Sequence, residues 1–273
     1  MIPIDEVIKN DERQDELDKI LKRSTVNMLS EYSAPENAIQ VMNNGEWQRL
    51  LTLGNFSTIS GKQKSKKTFL TTLLMAAASG SNRQGAKFKG CLPKDKSICW
   101  FFDTEQSLYD SWTVGKRITY AGGNINNINI LSLRPYSPKE RLEVIGYVLE
   151  KHKDKTGFAV IDGIADLVNS VNDEVEAIAV TTDLLKWTEL YNIHVSTVIH
   201  QRKADGYARG HIGTSVMNKS ESVISVTKDE SFPSKSLVKN TDQRGVMTFD
   251  SFEIEIIEGR LVIGENIKDS VTF

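Results

Sequence analysis

The 273-residue sequence predicts an α/β fold: a mostly parallel sheet with helices on both faces, followed by an antiparallel C-terminal extension. Short, wholly apolar segments, typical of buried parallel strands, alternate with longer segments of helical periodicity. From about residue 220 the apolar residues recur at every second position, which favours antiparallel strands with one solvated face. A lysine-rich loop joins the first core strand to the first core helix.

The alternation of elements begins near residue 50. Residues 50–60 (LLTLGNFSTIS) predict a strand, and residues 68–79 (TFLTTLLMAAAS) predict an apolar helix. The elements that follow are predicted as a strand at 98–102, a helix at 107–120, a strand at 125–133, a helix at 138–152, a strand at 158–161, a helix at 174–191 and a strand at 193–199. Because helices separate successive strands, the sheet is expected to be parallel and covered on both faces.

The two ends of the chain differ from this core. Strands are predicted at 222–227, 235–239 and 252–257, and residues 258–259 are expected to turn the last of them into a strand at 260–263. Residues 1–35 are charge-rich and carry apolar residues at helical spacing, which predicts an N-terminal helical arm ahead of the α/β domain over 36–273. The arm either packs on the domain or a neighbouring subunit, or is a loosely held solvated segment.

Composition excludes several classes of protein. With 39% hydrophobic and 26% charged residues, the chain matches folded globular proteins rather than disordered ones. The sequence contains no apolar run of about 18 residues and begins with an acidic segment, so a cytoplasmic protein without a membrane partner is expected. The isolated Cys91 and Cys99 suit a reducing compartment. A net charge of −2 excludes a uniformly basic nucleic-acid coat but leaves a local basic surface open.

The most informative motif is residues 59–68 (ISGKQKSKKT), which follows a strand and opens a helix. Gly61, Lys67 and Thr68 occupy the first glycine, lysine and hydroxyl positions of the G-x-x-x-x-G-K-[ST] phosphate loop. Backbone N–H groups at a helix N-terminus bind anions, the lysine reaches the β- and γ-phosphates, and the hydroxyl binds Mg²⁺. The predicted nucleotide-binding residues are Gly61, Lys62, Gln63, Lys64, Ser65, Lys66, Lys67, Thr68 and Phe69.

Lys66 departs from this motif, because it stands where the second glycine belongs. It is expected to place a Cβ and a long side chain beside the phosphates, which requires either a permissive backbone or an altered nucleotide site. The alternative interpretation of the whole segment is a basic surface loop, since four lysines fall within six residues.

Acidic residues follow two predicted core strands. In residues 156–166 (TGFAVIDGIAD), Asp162 ends a buried apolar strand and is the candidate Mg²⁺ ligand. The alternative is an Asp that caps a turn. Asp103 and Glu105 follow the strand in residues 99–107 (CWFFDTEQS), where a carboxylate could polarise an attacking water as a general base. The alternative interpretation is that these acidic residues cap the following helix or lie in its first turn. This alternative explains one of the two residues, but not both.

A third polar cluster, His200, Gln201, Arg202 and Lys203, follows the next predicted strand. His200 or Gln201 could sense the γ-phosphate, whereas an interior histidine with satisfied hydrogen bonds is the alternative for His200. Residues 207–214 (YARGHIGT) suit a mobile loop lining a channel. Cations here would serve a nucleic-acid backbone. The candidate nucleic-acid contacts are Arg202, Lys203, Arg209 and His211.

These segments, in this order over about residues 45–257, resemble RecA/DnaB-like P-loop ATPases. The resemblance is closest to the RepA-like subgroup of plasmids, phages and mobile elements. It is carried by the segments TLGNFSTISGKQKSKKTFL, ICWFFDTEQS, FAVIDGIADL, VIHQRK and ARGHIGT. A GKxKSxKTF pattern after TLGNF looks typical of phage and conjugative-element ATPases from Bacteroidetes-type bacteria, which would make Lys66 a subgroup feature.

The resemblance implies a RecA-like P-loop NTPase core that binds ATP and Mg²⁺. Asp162 and Thr68 would hold the metal, and Glu105 would be the catalytic base. It also implies a homo-oligomer, typically a hexameric ring, in which Lys239 and Arg244 from the C-terminal strands complete the site of the neighbouring subunit. A charged β-turn is the alternative for those two residues. The implied partners are single-stranded DNA and other replication or mobilisation proteins.

Three functions remain open at this stage. The first is an oligomeric ATPase, a helicase or DNA-remodelling motor, acting in the replication or transfer of a mobile element. The second is a nucleotide-gated DNA-binding or loader protein with little turnover, which the departure at Lys66 would permit. The third is a scaffold subunit of a replication or partition complex. Glu105 and Asp162 favour the first, because a scaffold needs neither carboxylate.

Overall fold

The computed structural model describes residues 4–81, 86–201, 210–246, 248–257 and 260–267. The chain divides into two compact units, Met1–Ala34 and Pro35–Phe273. The described residues of the first unit contain one helix, α1 (Ile4–Ser24). How the arm packs stays a prediction. Among the described residues, none of the helices is long and apolar enough to cross a membrane.

The second unit is an α/β structure built on a large sheet. Its helices are α2 (Lys67–Ala78), α3 (Leu108–Tyr120), α4 (Pro138–Lys151), α5 (Glu174–Tyr191) and α6 (Gly210–Lys219). Its strands are β1 (Asn37–Asn43), β2 (Glu46–Thr52), β3 (Phe56–Gly61), β4 (Phe88–Gly90), β5 (Ile98–Asp103), β6 (Ile128–Ser132), β7 (Thr156–Asp162), β8 (His194–His200), β9 (Ser222–Lys228), β10 (Lys235–Gln243), β11 (Ser251–Ile257) and β12 (Arg260–Ile267).

Nine strands form the large sheet in the order β12-β11-β10-β9-β3-β8-β7-β5-β6. From β9 to β6 the neighbouring strands are parallel, and β10, β11 and β12 continue the sheet as antiparallel strands. The predicted mostly parallel sheet with an antiparallel extension is therefore confirmed. One detail differs, since β9 pairs in parallel with β3 and the antiparallel part begins only at β10.

Helices cover both faces of this sheet, because successive strand residues point to opposite sides. Phe101 of β5 packs in one core with α2 and α3, and its neighbour Phe102 packs in a second core with α4, α5 and α6. Side-chain caps fix where several helices begin. The Ser107 hydroxyl accepts the Asp110 N–H at α3, and a capping box opens α4.

A small second sheet, β2-β1-β4, was not predicted. The expected single strand over 50–60 is wrong, because a turn at residues 53–54 separates β2 from β3. Gly54 takes a φ of 80° in this turn, a conformation that residues with a side chain rarely adopt. The apolar residues on both sides of the turn produced a continuous pattern that concealed the break.

Other boundaries differ by a few residues. The strand expected at 125–133 is shorter, since residues 125–127 form a 3₁₀ turn before β6. The expected loop over 207–214 is wrong from residue 210 onwards, because Gly210 begins α6, and residues 207–209 lie outside the described residues. The predicted turn at 258–259 also lies outside them, between the antiparallel strands β11 and β12.

Candidate nucleotide-binding site

The loop between β3 and α2 has the backbone of an anion site. β3 is buried along its whole length, and α2 begins at Lys67 with no side-chain cap, so its first N–H groups are left for a ligand. Lys64 and Lys66 adopt left-handed φ values of 61° and 70°. Gly61 has no room for a side chain, since an added Cβ would collide with the Val226 carbonyl oxygen.

Lys66 has the permissive backbone that was one of the two expected alternatives, and its side chain extends toward residues 233–236. Its backbone takes the left-handed conformation that the second glycine would supply, and its ammonium is bonded elsewhere. The Lys66 Nζ donates to the Pro233 and Lys235 carbonyl oxygens and to the Ser236 hydroxyl, at 2.9, 3.0 and 3.0 Å. Partial burial, and secondarily the charge of Lys228, lower the pKa of Lys66.

Lys67 lies folded back against the loop. Its Nζ donates to the carbonyl oxygens of Gly61 and Lys62 at 3.0 and 2.9 Å, and lies 2.9 Å from the His200 Nδ1. Burial lowers the pKa of Lys67 to about 8, although Asp162 and Glu105 act in the opposite direction. The ammonium of Lys67 is buried and bonded to neutral acceptors. A phosphate could replace these carbonyl oxygens and would also neutralise the positive charge.

Thr68 and Asp162 meet across the sheet edge. The Thr68 hydroxyl donates to the Asp162 Oδ2 at 2.9 Å, although the two residues lie 94 positions apart in the chain. Burial raises the pKa of Asp162 to about 7, with Asp103 and Glu105 adding to the rise and the Thr68 hydrogen bond opposing it. A positive ion at this pair would relieve the accumulated negative charge.

The residues present fit Mg²⁺ and a phosphate chain. A hydroxyl and a carboxylate are hard oxygen ligands, and Mg²⁺ commonly takes one or two such protein ligands beside waters and phosphates. The Ser65 hydroxyl, fully buried in the loop, has no hydrogen-bond partner among the residues that the structure describes. A buried hydroxyl of this kind has a hydrogen bond to offer to a water or to a ligand atom. The described residues contain no cluster of three or more His, Cys, Asp or Glu side chains suited to hold a metal alone.

Glu105 faces the same site through His200. The His200 Nε2 lies 3.2 Å from the Glu105 Oε1, and its Nδ1 faces Lys67. An ammonium can only donate, so the Nδ1 accepts from Lys67 and the Nε2–H donates to Glu105. That hydrogen bond is the main cause of the lowered pKa of Glu105, which keeps it ionised. His200 is partly exposed and is therefore not a fully interior histidine.

Asp103 has a structural role. Its carboxylate accepts the N–H groups of Glu105 and Gln106 and the hydroxyl of Ser111, at 3.2, 2.9 and 2.8 Å. Asp103 thus holds the turn after β5 and aims Glu105 at the site. Of the two candidate bases, Glu105 alone keeps a partly exposed carboxylate.

Thr104 is a further residue of the site that was not predicted from the sequence. The single proton of its hydroxyl is best donated to the Asp166 Oδ2 at 2.8 Å, the Asp162 and Gly163 carbonyl oxygens lie 3.1 Å away, and the hydroxyl oxygen accepts the Gly163 N–H. The Thr104 N–H also donates to the Asp162 carbonyl at 2.8 Å. This residue joins the ends of β5 and β7, where Glu105 and Asp162 lie. A threonine between two acidic residues gives no signal of such a role.

The remaining predicted residues are distributed as follows. The Gln201 side chain donates to Ser60 at 3.3 Å and its N–H to Gly61 at 3.0 Å, so Gln201 lies beside the loop. The Phe69 ring packs under the Arg117 guanidinium on α3, and Lys62, Gln63 and Lys64 are exposed. His211 is exposed in the first turn of α6. Arg202, Lys203 and Arg209 lie outside the described residues.

Lys239 and Arg244 are not brought together. Lys239 pairs with Ser225 of β9, which in turn pairs with Ser60 of β3. Arg244 lies at the other end of the parallel strands, where its N–H donates to the Glu221 carbonyl and its guanidinium to the Lys219 carbonyl. Arg244 is thus placed away from the phosphate loop of its own chain.

Comparison with known proteins identifies the fold. No protein-family model matches the sequence, and no curated protein matches it. Among solved structures, the RadB recombinase superposes with a TM-score of 0.55, covering 78% of this chain and 92% of that chain at 13% sequence identity. At this identity the likeness concerns the fold. The fold of the core is therefore RecA-like: a large, mostly parallel sheet that is flanked by helices and extended by antiparallel C-terminal strands.

Proposed function

We propose that the protein is a Mg²⁺-dependent ATPase that acts on nucleic acid as an oligomer. The observation that carries the proposal is the Thr68–Asp162 hydrogen bond at the N-terminus of α2, with Lys67 and Glu105 facing the same point. A phosphate-loop hydroxyl, a strand-end aspartate, a loop lysine and a second carboxylate form the set that phosphoryl transfer to water requires.

Each residue has a distinct task in this proposal. The N–H groups of the loop and of the first turn of α2 bind the phosphates, and Lys67 moves its ammonium from the Gly61 and Lys62 carbonyls onto them. Glu105, kept ionised by His200, takes a proton from the attacking water. Thr68 and Asp162 would hold Mg²⁺, which when bound neutralises charge on the phosphate oxygens.

His200 and Gln201 couple the site to the chain that follows. When Lys67 turns to a phosphate, the His200 Nδ1 loses its donor, while the His200 Nε2–H remains available to Glu105. His200 and Gln201 immediately precede residues 202–209, which carry the candidate DNA contacts Arg202, Lys203 and Arg209. We infer that single-stranded DNA is the partner at this segment and that a ring of subunits surrounds it.

The more specific role is also part of the proposal. The resemblance of the P-loop, Asp162 and Glu105 segments to RepA-like ATPases supports a helicase or DNA-remodelling motor that serves replication or transfer of a mobile element. The same residues are compatible with a nucleotide-gated loader with little turnover. A DNA-stimulated ATPase activity distinguishes the two.

The test is steady-state ATP hydrolysis with Mg²⁺, measured with and without single-stranded DNA. Lys67→Ala is expected to lower turnover at least about 10²-fold, because the buried ammonium that meets the phosphates is lost. Wild-type ATPase activity in this variant would exclude the phosphate-loop assignment. Stimulation by DNA supports a motor, and tight ATP binding without turnover supports the loader.

The contribution of Arg244 is tested in the same assay. Arg244→Ala is expected to lower turnover about tenfold or more with nearly unchanged ATP affinity, because an arginine from a neighbouring subunit acts on the transition state. Mixing Arg244→Ala with Lys67→Ala subunits should restore part of the activity, since some interfaces then contain both intact residues. Absence of any restoration would count against action in trans.

A further inference from the structure

The side chain of Lys66 hydrogen-bonds the phosphate loop to the turn between β9 and β10 and to the first residues of β10. A lysine in the left-handed conformation is strained, because its Cβ crowds the backbone where a glycine would not. The ammonium of Lys66 has three N–H donors, and the structure gives it three acceptors, all within residues 233–236. Lys66 thus combines a strained backbone with an ammonium whose three N–H groups all have acceptors.

The turn that receives Lys66 is itself well ordered by hydrogen bonds. The Asp229 carboxylate accepts the N–H groups of Ser231 and Phe232 at 2.8 and 2.9 Å. The Asp229 N–H donates to the Lys235 carbonyl, the same oxygen that accepts from Lys66. Displacement of Lys66 would therefore disturb the closing hydrogen bond of the turn as well as its own contacts.

We propose that Lys66 is a positioning residue that couples the phosphate loop to the β9–β10 turn, so that the turn responds when the loop binds nucleotide. This step rests on the proposed nucleotide function. Lys66 directly precedes the first residue of α2, where bound phosphates would contact the backbone, so a shift of the loop displaces the anchor point of its side chain. The turn carries Phe232, whose side chain is 61% exposed.

Lys64 provides an internal comparison. It is a lysine of the same loop with a similar left-handed φ, but its side chain is exposed. Strain alone would give Lys64 and Lys66 the same effect on the rest of the molecule. The tether predicts an effect on the turn from Lys66 only.

The test is amide hydrogen exchange of residues 229–235 in wild-type protein, Lys66→Met and Lys64→Met. Methionine keeps the length of the stem but has no ammonium. Without nucleotide, Lys66→Met should raise exchange in the turn about fivefold, because charge-assisted hydrogen bonds to it are lost, and Lys64→Met should not. Lys66→Arg should restore part of the protection. Equal exchange in wild-type protein and Lys66→Met would overturn the tether.

Adding a non-hydrolysable ATP analogue with Mg²⁺ tests the coupling. Wild-type protein should change exchange in both residues 59–68 and residues 229–235, whereas Lys66→Met should change it in 59–68 alone. If the analogue still changes exchange in residues 229–235 of Lys66→Met, the proposed coupling is refuted. A wild-type protein with no change in 59–68 would instead refute the proposed nucleotide function, and the nucleotide-free comparison would still decide the tether.

A second variant covers the case in which Lys66→Met fails to fold. Ser236→Ala removes one of the three acceptors and leaves the phosphate loop unchanged. Its turn should exchange faster than that of wild-type protein. In an Lys66→Met background, the same substitution should add nothing, because the partner is already gone. Additive effects of the two substitutions would contradict the contact.

Discussion

The two edges of the parallel strands carry polar clusters of opposite character. At the carboxyl edge, Thr68 is hydrogen-bonded to Asp162, His200 bridges Lys67 and Glu105, and the carboxylates of Asp162 and Glu105 lie near the buried Lys67 ammonium. At the amino edge, Glu221 and His194 bind the β2–β3 connection. Both Glu221 carboxylate oxygens accept from Thr52, and both His194 ring nitrogens are hydrogen-bonded, to the Thr52 carbonyl and the Ser57 hydroxyl.

This difference separates a polar cluster that stabilises the fold from one that can bind a ligand. Buried polar groups that are satisfied within the protein fix a unique structure, and their removal costs stability. The carboxyl edge instead contains the unpartnered Ser65 hydroxyl and an aspartate with a pKa raised to about 7, so its groups gain from an added ligand. Variants of the carboxyl-edge cluster should therefore affect turnover, and variants of Glu221 or His194 at the amino edge should affect folding.

The largest expected effect is at the carboxyl edge. Glu105→Gln should reduce ATP turnover about 10²-fold or more, because an amide cannot accept the proton of the attacking water. ATP affinity and the unfolding temperature should remain close to those of wild-type protein. Glu189→Gln, the same chemical change at an exposed site on α5, is the control. Turnover within about threefold of wild type in Glu105→Gln would remove Glu105 as the base.

The next effect is at the amino edge. Glu221→Ala should lower the free energy of unfolding by about 2–4 kcal/mol, because the buried Thr52 N–H and hydroxyl lose their acceptors. Glu221→Gln keeps the shape and one acceptor, and should cost less. Urea denaturation measures both. If folded Glu221→Ala protein also binds ATP much more weakly than wild-type protein, Glu221 does not act on stability alone, and the assignment of different roles to the two edges is wrong.

A smaller effect concerns pH. Burial lowers the pKa of His194 below its ordinary 6.5, so the unfolded chain binds a proton that the folded protein rejects. The contribution of neutral His194 to the free energy of unfolding is therefore fully present above pH 6.5. It decreases as the pH falls below 6.5, by at most about 1.4 kcal/mol per pH unit. His194→Gln should reduce the slope of unfolding free energy between pH 6.5 and 5. An unchanged slope would contradict this assignment.

Much of the core fold could be predicted, because its strands are short apolar runs between amphipathic helices. The helix over 174–191 agrees with α5 in both boundaries. In the β2-β1-β4 sheet, β1 and β2 form a local hairpin whose Asn44-Gly45 turn was overlooked, and only the pairing of β1 with β4, a strand of three residues, is long-range. The parallel pairing of β9 with β3 likewise depends on residues more than 160 positions apart.

The candidate site was predictable where chemistry follows a fixed spacing, as at Gly61, Lys67 and Thr68. The strand-end positions of Asp162 and Glu105 also gave a usable signal. The direction of the Lys66 side chain did not, because its acceptors are two backbone carbonyls and a serine hydroxyl about 170 residues away. Backbone acceptors leave no trace in the residue types, which also explains why Thr104 was missed.

The central position of β3 has a consequence for synthesis of the chain. This strand pairs only with β8 and β9, so residues 56–61 have no strand partner until about residue 200 has left the ribosome, and gain the second only after residue 228. Backbone groups of an unpaired strand remain open to incorrect pairing in the meantime. The element that ends in the phosphate loop thus becomes part of the sheet among the last, although it is translated among the first.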